Sequence, residues 1–198
     1  MSTPKIAVLF YSTYGTNMGV AQDALAEMEK TGAEVRLRKI PETAPQSVID
    51  GQDAWKAQQE RAADIPDVST DDLEWADGIW VSAPVRFGGQ SSQVRSWIDT
   101  LGGLWGEGKL VNKTITATTS AQNPNGGVEN TIMNLYHAAI HWGAIPVAPG
   151  YAHESKFADG GNPYGFSMVG GNELSDTQKQ SIAHQARRLV EITGRIAG

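Results

Sequence analysis

The sequence of 198 residues contains no cysteine. That absence excludes disulfide bonds, thiolate metal ligands and cysteine nucleophiles. Long apolar runs are missing as well, because none approaches the roughly 18 residues that a membrane span requires. The first residues show no charged segment followed by an apolar stretch and a cleavage site, so we expect no signal peptide. We therefore predict a soluble, cytoplasmic protein without membrane insertion.

Positive charge is also scarce. The chain has 16 Lys+Arg against 22 Asp+Glu, a formal net charge of −6 and a pI near 5.2. Its densest basic group, Arg36, Arg38 and Lys39, is typical of an exposed strand edge. Nucleic acids and anionic membranes select extended basic patches. We therefore expect neither as a partner.

Signatures of hydrolases and metalloenzymes are missing from the sequence too. It has no G-x-S-x-G motif and no Ser/His/Asp series in a recognisable order. His137 and His141 are four residues apart, which suits a metal pair on a helix, but no carboxylate falls at a matching position. We predict a capping or surface role for this pair and no metal site.

Apolar segments of strand length alternate with segments of helical periodicity along the chain. The pattern predicts strands at residues 5–11, 33–39, 78–83, 113–120 and 144–148, and helices at residues 20–28, 52–61, 71–75, 90–101, 128–140 and 176–196. Such alternation builds right-handed βαβ units with helices on both faces of a parallel sheet. We therefore predict an α/β fold with a doubly wound five-stranded sheet of order 2-1-3-4-5. Ser175 is the candidate N-cap of the last helix.

A glycine-rich stretch without periodicity separates the fifth predicted strand from the last helix. It covers about residues 150–171, and loops of this length inside a compact domain are usually functional. We interpret it as an insertion into a single domain that spans residues 1–198.

A hydroxyl-rich loop follows the first strand, at the sheet edge where open parallel sheets bind ligands. Free backbone N–H groups and the helix dipole favour an anion there. The loop has neither the lysine of a G-x-x-x-x-G-K-[ST] motif nor the G-x-G-x-x-G pattern. It therefore favours a terminal phosphate without a metal, although an ordinary turn with Thr16 or Asn17 as N-cap is the alternative. The predicted phosphate-binding residues are Ser12, Thr13, Tyr14, Gly15, Thr16 and Asn17.

Two further loops should meet the first one at the same edge of the sheet. Residues 84–89 place Arg86 and Phe87 between a proline and two glycines, and a cation there would stabilise an anionic reduced flavin. A turn with a solvated Arg86 and a packed Phe87 is the alternative.

Residues 119–127 are small and polar and precede a helix. Trp105, on the glycine-rich stretch 102–106, suits either a planar substrate or a core or oligomer interface.

Four motifs occur in a specific order: Ser-Thr-Tyr-Gly at residues 12–15, Pro-Val-Arg-Phe-Gly at 84–88, Gly-Gly-Leu-Trp at 102–105 and Gly-Gly-Asn-Pro-Tyr-Gly at 160–165. In this combination the chain resembles the flavodoxin-like quinone oxidoreductases of the WrbA type, over almost its whole length. The resemblance implies a flavodoxin-like fold, FMN as cofactor, NADH or NADPH as reductant and two-electron reduction of quinones to hydroquinones by ping-pong hydride transfer. It also implies a homo-oligomer, a tetramer.

The resemblance assigns residues to roles. It implies that the phosphate lies on residues 12–17, and that Tyr14 and Trp105 line the nicotinamide and quinone pocket. His141 matches a flavin-site histidine that is contributed at a subunit interface, and Arg86 and His141 would tune the flavin without either being assigned as a catalytic residue. The remaining residues expected at the flavin are Pro84, Val85, Phe87, Gly88, Thr119, Ser120, Ala121, Gly126 and Gly127.

The chain departs from the family pattern in two places. The loop at residues 119–127 is longer than the usual Ser-Thr-Gly-Thr-Gly-Gly and has Ala121 in place of a glycine, while residues 52–61 are unusual and receive no role. Two other functions stay open from the sequence: a flavodoxin-like electron carrier and a regulatory module that binds a partner. A response regulator is disfavoured, because Ser12 and residues 82–84 stand where acidic residues would be needed.

Overall fold

The computed structural model of the chain describes residues 3–171 and 173–197. The expected domain limits at residues 1 and 198 lie outside the described residues. The elements in chain order are β1 (Lys5–Phe10), α1 (Thr16–Lys30), β2 (Glu34–Lys39), α2 (Gln46–Asp50), α3 (Asp53–Arg61), α4 (Thr70–Trp75), β3 (Gly78–Arg86), β4 (Gly89–Gln90), α5 (Ser92–Asp99), α6 (Gly102–Gly106), β5 (Thr114–Ala121), α7 (Val128–His141), β6 (Ile145–Pro146), α8 (Ser155–Ala158), β7 (Ser167–Val169) and α9 (Asp176–Ala197).

The sheet has the predicted flavodoxin-like topology. Its main path is β2-β1-β3-β5-β6, with parallel pairing throughout, which is the predicted order 2-1-3-4-5 once the short strand β4 is set aside. Two short strands join this path: β4 pairs antiparallel with β3, and β7 pairs parallel with β5. The crossover between β1 and β3 leaves the loops after both strands at one edge of the sheet.

Two apolar cores cover the two faces of the sheet, because successive strand residues point to opposite sides. In β1, Ala7 and Leu9 join one core, and Ile6, Val8 and Phe10 join the other. The first core is completed from helices α4, α5 and α7, and the second from α1 and α9. Strands β1 and β3 are therefore buried on both faces, as their nearly continuous apolar runs predict, whereas the edge strand β2 is only partly buried.

Helix ends follow the sequence signals. Gly32 has φ +83° one residue beyond the α1 C-cap, which explains why glycine stands there. The amide of Gln178 donates to the Ser175 hydroxyl at 3.3 Å, and the Ser175 amide donates to the Gln178 side chain at 2.9 Å. The predicted N-cap of α9 is thereby confirmed as a reciprocal capping pair.

Several local predictions were wrong. Residues 84–86 belong to strand β3 rather than to a loop, because β4 folds back on them and pairs Val85 with Gln90. For the same reason the helix expected at 90–101 begins only at Ser92. Residues 102–106 form the short helix α6 and not a loop. The fifth strand shrinks to two residues, and α2 was not predicted because the prolines around it obscure its periodicity.

The glycine-rich insertion packs against α9 and β5. It contributes α8 and ends in β7, so its last residues, Gly170 and Gly171, return to the ligand edge of the sheet. The Lys156 ammonium and the Asp159 carboxylate form a buried ion pair at 2.7 Å, and the Ser181 hydroxyl of α9 also donates to Asp159. Buried charges of this kind are tolerated only when paired. The insertion is thus anchored by polar contacts to the last helix.

A stacked histidine pair joins the same two parts of the chain. The rings of His153 and His184 lie 4.9 Å apart with 22° between their planes, and Nε2 of His184 is buried without a hydrogen-bond partner in the described structure. Burial lowers the pKa of His184, and the nearby His153, Arg187 and Arg188 lower it further. A hydrogen bond to the Pro149 backbone partly offsets this by raising the pKa. His184 therefore takes up a proton less readily in the folded protein than in the unfolded chain.

We expect acid to destabilise the fold through His184. Because its pKa is lower in the folded than in the unfolded state, the unfolded chain gains the proton first, and stability falls as pH drops through and below about 6.5. Urea unfolding midpoints of the wild type and of His184→Gln, between about pH 7.5 and pH 5.5, measure the effect. The variant should show a flatter dependence; an identical slope in both proteins would contradict this role for His184.

Candidate functional site

A large cavity opens at the carboxyl edge of the sheet, where β1, β3 and β5 end. Its volume is about 950 Å³, at the upper end of the range for small-molecule and cofactor sites. Eleven of the residues predicted from the sequence line it: Ser12, Thr13, Tyr14, Thr16, Asn17, Pro84, Val85, Arg86, Phe87, Ser120 and Ala121. The structure therefore brings together residues from all three segments that were predicted to meet at one site.

The loop after β1 has the backbone of an anion-binding turn. Gly15 occupies the N-cap of α1 with φ +106°, and its amide donates to the Ser12 hydroxyl at 3.0 Å. The N-cap considered from the sequence, Thr16 or Asn17, is wrong, because Gly15 takes that position. As a glycine, Gly15 supplies no side-chain cap to α1. The first turn of α1 lies at the cavity, because Thr16 and Asn17 line it, and the positive end of a helix dipole favours an anion there.

Asn17 ties this loop to the two neighbouring strands. Its side chain is 2% exposed, donates to the Ser120 hydroxyl of β5 at 2.9 Å and accepts from the Ser82 hydroxyl of β3 at 3.3 Å. A single buried amide therefore fixes the start of α1 against β3 and β5. The geometry of the loop is set by these strands and not by the loop alone.

Arg86 is held at the rim of the cavity. Its guanidinium donates to the Thr13 hydroxyl at 2.6 Å and to the Val85 carbonyl at 3.0 Å. Thr13 is itself buried. The side chain is thereby fixed between the loop after β1 and the end of β3, so the solvated Arg86 considered from the sequence is wrong. The arrangement places a permanent cation beside a hydroxyl-lined loop.

The turn between β3 and β4 is strained and clamped from α7. Phe87 has φ +48°, which is rare for a side chain of its size, and its ring is fully exposed. The packed Phe87 considered from the sequence is therefore wrong. Asn130 of α7 donates to the Gly88 carbonyl at 2.7 Å. Strained backbone of this kind concentrates at functional sites.

Glycines in the loop after β5 allow that loop to approach the turn. A Cβ on Gly127, which has φ +94°, would lie 2.6 Å from the Gly88 Cα, and one on Gly126 would lie 2.6 Å from the Ala121 Cβ. Neither glycine lines the cavity, and neither do Gly15 and Gly88. These glycines instead set the shape of the loops whose other residues line the cavity. Thr119 is likewise buried beneath the surface, where its hydroxyl donates to the Ala83 carbonyl at 2.6 Å.

His141 and Trp105 lie together, but away from this cavity. The Trp105 indole donates to the His141 carbonyl at 3.1 Å, and the Trp105 ring is exposed. His141 lines a separate open groove of about 630 Å³ between α5 and α7, together with His137, Arg95 and Gln90. Arg95 and Gln90 also line the main cavity, so the two spaces adjoin. Within one chain, the two residues do not complete the main cavity.

One wall of the cavity could not be predicted from the sequence. It is lined by Thr43 and Ala44 after β2, by Trp55 on α3, and by Gln90, Ser92, Gln93 and Arg95 at β4 and α5. Trp55 belongs to the segment that received no role. Glu42, in the loop after β2, holds this wall, and its partners are 1 to 51 residues away in sequence. The local sequence indicates this wall only weakly, through the short segment Glu-Thr-Ala that follows a proline.

Tyr11 joins that wall to the loop after β1. Its hydroxyl donates to Glu42 at 3.0 Å and accepts from the Thr13 hydroxyl at 3.4 Å. Burial raises the pKa of Tyr11 well above its usual range, and the neighbouring Glu42 carboxylate adds to the rise. The hydroxyl is therefore protonated at neutral pH and acts as a donor to Glu42.

No cluster of three or more histidine, aspartate and glutamate side chains suited to a metal occurs in the described part of the chain. Within residues 3–171 and 173–197, no helix is both long and apolar enough to cross a membrane. Hydroxyls, amides, aromatic rings and the guanidinium groups of Arg86 and Arg95 line the main cavity.

Comparison with known proteins agrees with this geometry. A family model described as flavodoxin-like fold matches residues 4–162. The chain is similar to the NAD(P)H dehydrogenase (quinone) of Deinococcus radiodurans, with 54% identity over all of both chains, and to the enzyme of that name from Geotalea uraniireducens, with 34% identity over 98% of this chain and 99% of the relative.

Solved structures show the same fold at low sequence identity. A flavodoxin, WrbA-like protein from Agrobacterium tumefaciens superposes with a TM-score of 0.67 at 18% identity, over 98% of this chain and 99% of that one. An NADH:FMN oxidoreductase in its apo form superposes with a TM-score of 0.64 at 16% identity, over 96% and 90% of the two chains. These neighbours establish the architecture around the cavity.

Proposed function

The chain belongs to the flavodoxin-like family that includes the WrbA-type quinone oxidoreductases, and from that premise we propose that it is an FMN-dependent NAD(P)H:quinone oxidoreductase. The observation that carries the proposal is the main cavity itself. It joins a hydroxyl-lined helix N-terminus to a fixed guanidinium and to strained turns that approach one another closely. That combination suits a ligand with a dianionic phosphate at one end and a flat, electron-accepting ring at the other.

The donor set fits FMN and not a nucleoside triphosphate. The loop lines the cavity with Ser12, Thr13 and Thr16 and leads into the N-terminus of α1, without a lysine and without carboxylates for a metal. A terminal phosphate needs only such donors, whereas a triphosphate with Mg²⁺ needs both of the missing groups. A Cβ added to Gly88 would meet nothing within 4 Å, so a ring can approach that side of the backbone.

The chain's own groups have distinct tasks in this proposal. FMN, when bound there, would supply the redox chemistry, the transfer of an electron pair from NAD(P)H to a quinone, so that NAD(P)H, a proton and a quinone would give NAD(P)⁺ and a hydroquinone. Residues 12–17 bind the phosphate, and Arg86 stabilises negative charge on the reduced ring. Pro84, Val85, Phe87, Gly88, Thr119, Ser120, Ala121, Gly126 and Gly127 form or support the ring site.

Oligomerisation completes the site in this proposal. His141 and Trp105 do not line the main cavity of their own chain, and Ile140, next to His141 in sequence, is an exposed apolar side chain. A second copy of the chain would bring its His141 to the flavin and its Trp105 to the quinone, while Tyr14 of the first copy contacts the nicotinamide. We propose a homotetramer, formed from a single domain with an insertion at about residues 150–171.

Steady-state kinetics test the function. With FMN added, NADH or NADPH oxidation should depend on a quinone, and double-reciprocal plots at several quinone concentrations should be parallel, as a ping-pong cycle requires. An electron carrier would instead be reduced in single-electron steps and would turn over only with a protein partner. A regulatory module would bind its partner with or without flavin. Converging lines would reject the ping-pong cycle, and the absence of turnover with both nucleotides would reject the enzyme.

A further inference from the structure

Helix α3 lies against the cofactor cavity, although its sequence departs from the family pattern. Its half-buried Trp55 lines the main cavity and also a second cavity of about 300 Å³ behind it, so the indole forms part of the partition between them. A tryptophan placed between two cavities is not filling a core. None of the residues expected at the flavin comes from this helix.

One carboxylate fixes that tryptophan and the wall around it. Glu42 Oε2 accepts from the Trp55 indole at 3.1 Å and from the Tyr11 hydroxyl at 3.0 Å. Its Oε1 accepts from the Gln93 side chain at 2.7 Å and from the amides of Thr43 and Ala44 at 2.8 and 2.9 Å. All five donor residues line the main cavity. A carboxylate that accepts this many bonds from separate segments rigidly sets their relative positions.

The start of α3 also holds Tyr14. Its hydroxyl donates to the Gln52 side chain at 2.7 Å, and the Gln52 carbonyl accepts the Trp55 amide at 2.9 Å. Two aromatic side chains, Tyr14 and Trp55, are thus tied to one turn of backbone at the cavity. The ring of Tyr14 is 42% exposed, so both rings are available to a ligand.

We propose that Trp55 is a specificity-determining residue, which contacts the planar ring of the second substrate, and that Glu42 is the positioning residue that holds it. The inference rests on the proposed function, because a second substrate exists only if the chain is a two-substrate enzyme. Aromatic walls bind flat rings by stacking or edge contacts, and pre-set walls do so without an ordering cost. The nicotinamide of NAD(P)H and the quinone share this flat-ring chemistry.

Variants of Trp55 test the contact in the FMN-loaded protein. Trp55→Ala should raise the KM of NAD(P)H or of the quinone about tenfold, the size expected from a lost aromatic contact, while the Kd of FMN changes less than about twofold. Trp55→Phe keeps a ring and should recover most of the affinity. Trp75→Phe is the matched control, because Trp75 packs beneath Arg36, 3.9 Å from the guanidinium carbon to the ring centroid, and does not line the main cavity.

The two half-reactions distinguish which ring binds there. A change in the NAD(P)H-dependent half assigns the wall to the nicotinamide, and a change in the quinone-dependent half assigns it to the quinone. Unchanged KM values for both substrates, or a loss of FMN affinity of tenfold or more, would overturn the proposal. A wild-type protein that NAD(P)H fails to reduce would refute the proposed function instead.

A double variant tests the role of Glu42. Glu42→Gln should raise the same KM in the wild type but add nothing in the Trp55→Ala background, because Glu42 is argued to act through Trp55. Equal effects in both backgrounds would show that Glu42 acts elsewhere. Melting temperatures of all variants separate these outcomes from a loss of fold, and Trp55→Phe remains informative if the alanine variant does not fold.

Discussion

Replacing Asn17 by aspartate should reduce the affinity for FMN about 100-fold or more. The substitution keeps the shape of the side chain, and both of its present neighbours, Ser82 and Ser120, are hydroxyls that can turn to donate to a carboxylate. It adds a negative charge to a loop proposed to hold a dianion. Repulsion of about 3 kcal/mol at short range and intermediate dielectric corresponds to that loss.

The affinity is measured by the quenching of FMN fluorescence as protein is added. Asn112→Asp is the control, because Asn112 is exposed, has φ +64° in a turn where aspartate is also accepted, and does not line the main cavity. It should leave the Kd unchanged. An Asn17→Asp protein that binds FMN as tightly as the wild type would show that the phosphate does not lie on residues 12–17.

Replacing Gly165 by alanine should destabilise the fold by about 3 kcal/mol. A Cβ on this buried glycine would lie 2.0 Å from the Ala117 carbonyl oxygen and 3.0 Å from the Ile132 side chain. The carbonyl cannot retreat freely, because it accepts a bond from Gln185 at 3.0 Å. The insertion must therefore move away from β5, and it should take Gly170 and Gly171, at the cavity edge, with it.

A fall of about 10 °C in melting temperature is the corresponding result for a chain of this size, and FMN affinity should fall with it. Gly19→Ala in α1 is the matched control. It meets nothing within 4 Å outside its own helix, and alanine is favoured over glycine in a helix interior, so stability should be kept or raised. If Gly165→Ala has the same melting temperature as the wild type, the close packing of the insertion on β5 is wrong.

Much of the fold could be predicted because its strands are buried on both faces. Nearly continuous apolar runs in β1 and β3 mark such strands without reference to the rest of the chain. The pairing of β4 with β3 was not predictable in this way. It depends on the strained turn at Phe87, which is held by Asn130 from a helix far along the chain. Helix α6 was not predicted either, because the glycines at 102, 103 and 106 do not indicate a helix.

The residues of the site differ in the same way in how far the sequence predicts their positions. Residues 12–17 follow directly from a strand and precede a helix, so their position at the ligand edge could be predicted from topology. The wall that contains Trp55 could not be, because Glu42 gathers it through bonds that join positions 13, 31 and 51 residues apart. The positions of His141 and Trp105 illustrate a further limit. The sequence suggested an interface histidine, and the chain by itself leaves that residue in a separate groove.

The central claim is that the main cavity holds FMN and that FMN carries an electron pair from NAD(P)H to a quinone. An anaerobic titration of the FMN-loaded protein, followed by the visible absorbance of the flavin, tests it most directly. Equimolar NADH or NADPH should abolish the absorbance, and equimolar benzoquinone should then restore it in full. A protein that retains no FMN, or one whose flavin absorbance neither nucleotide changes, would contradict the account.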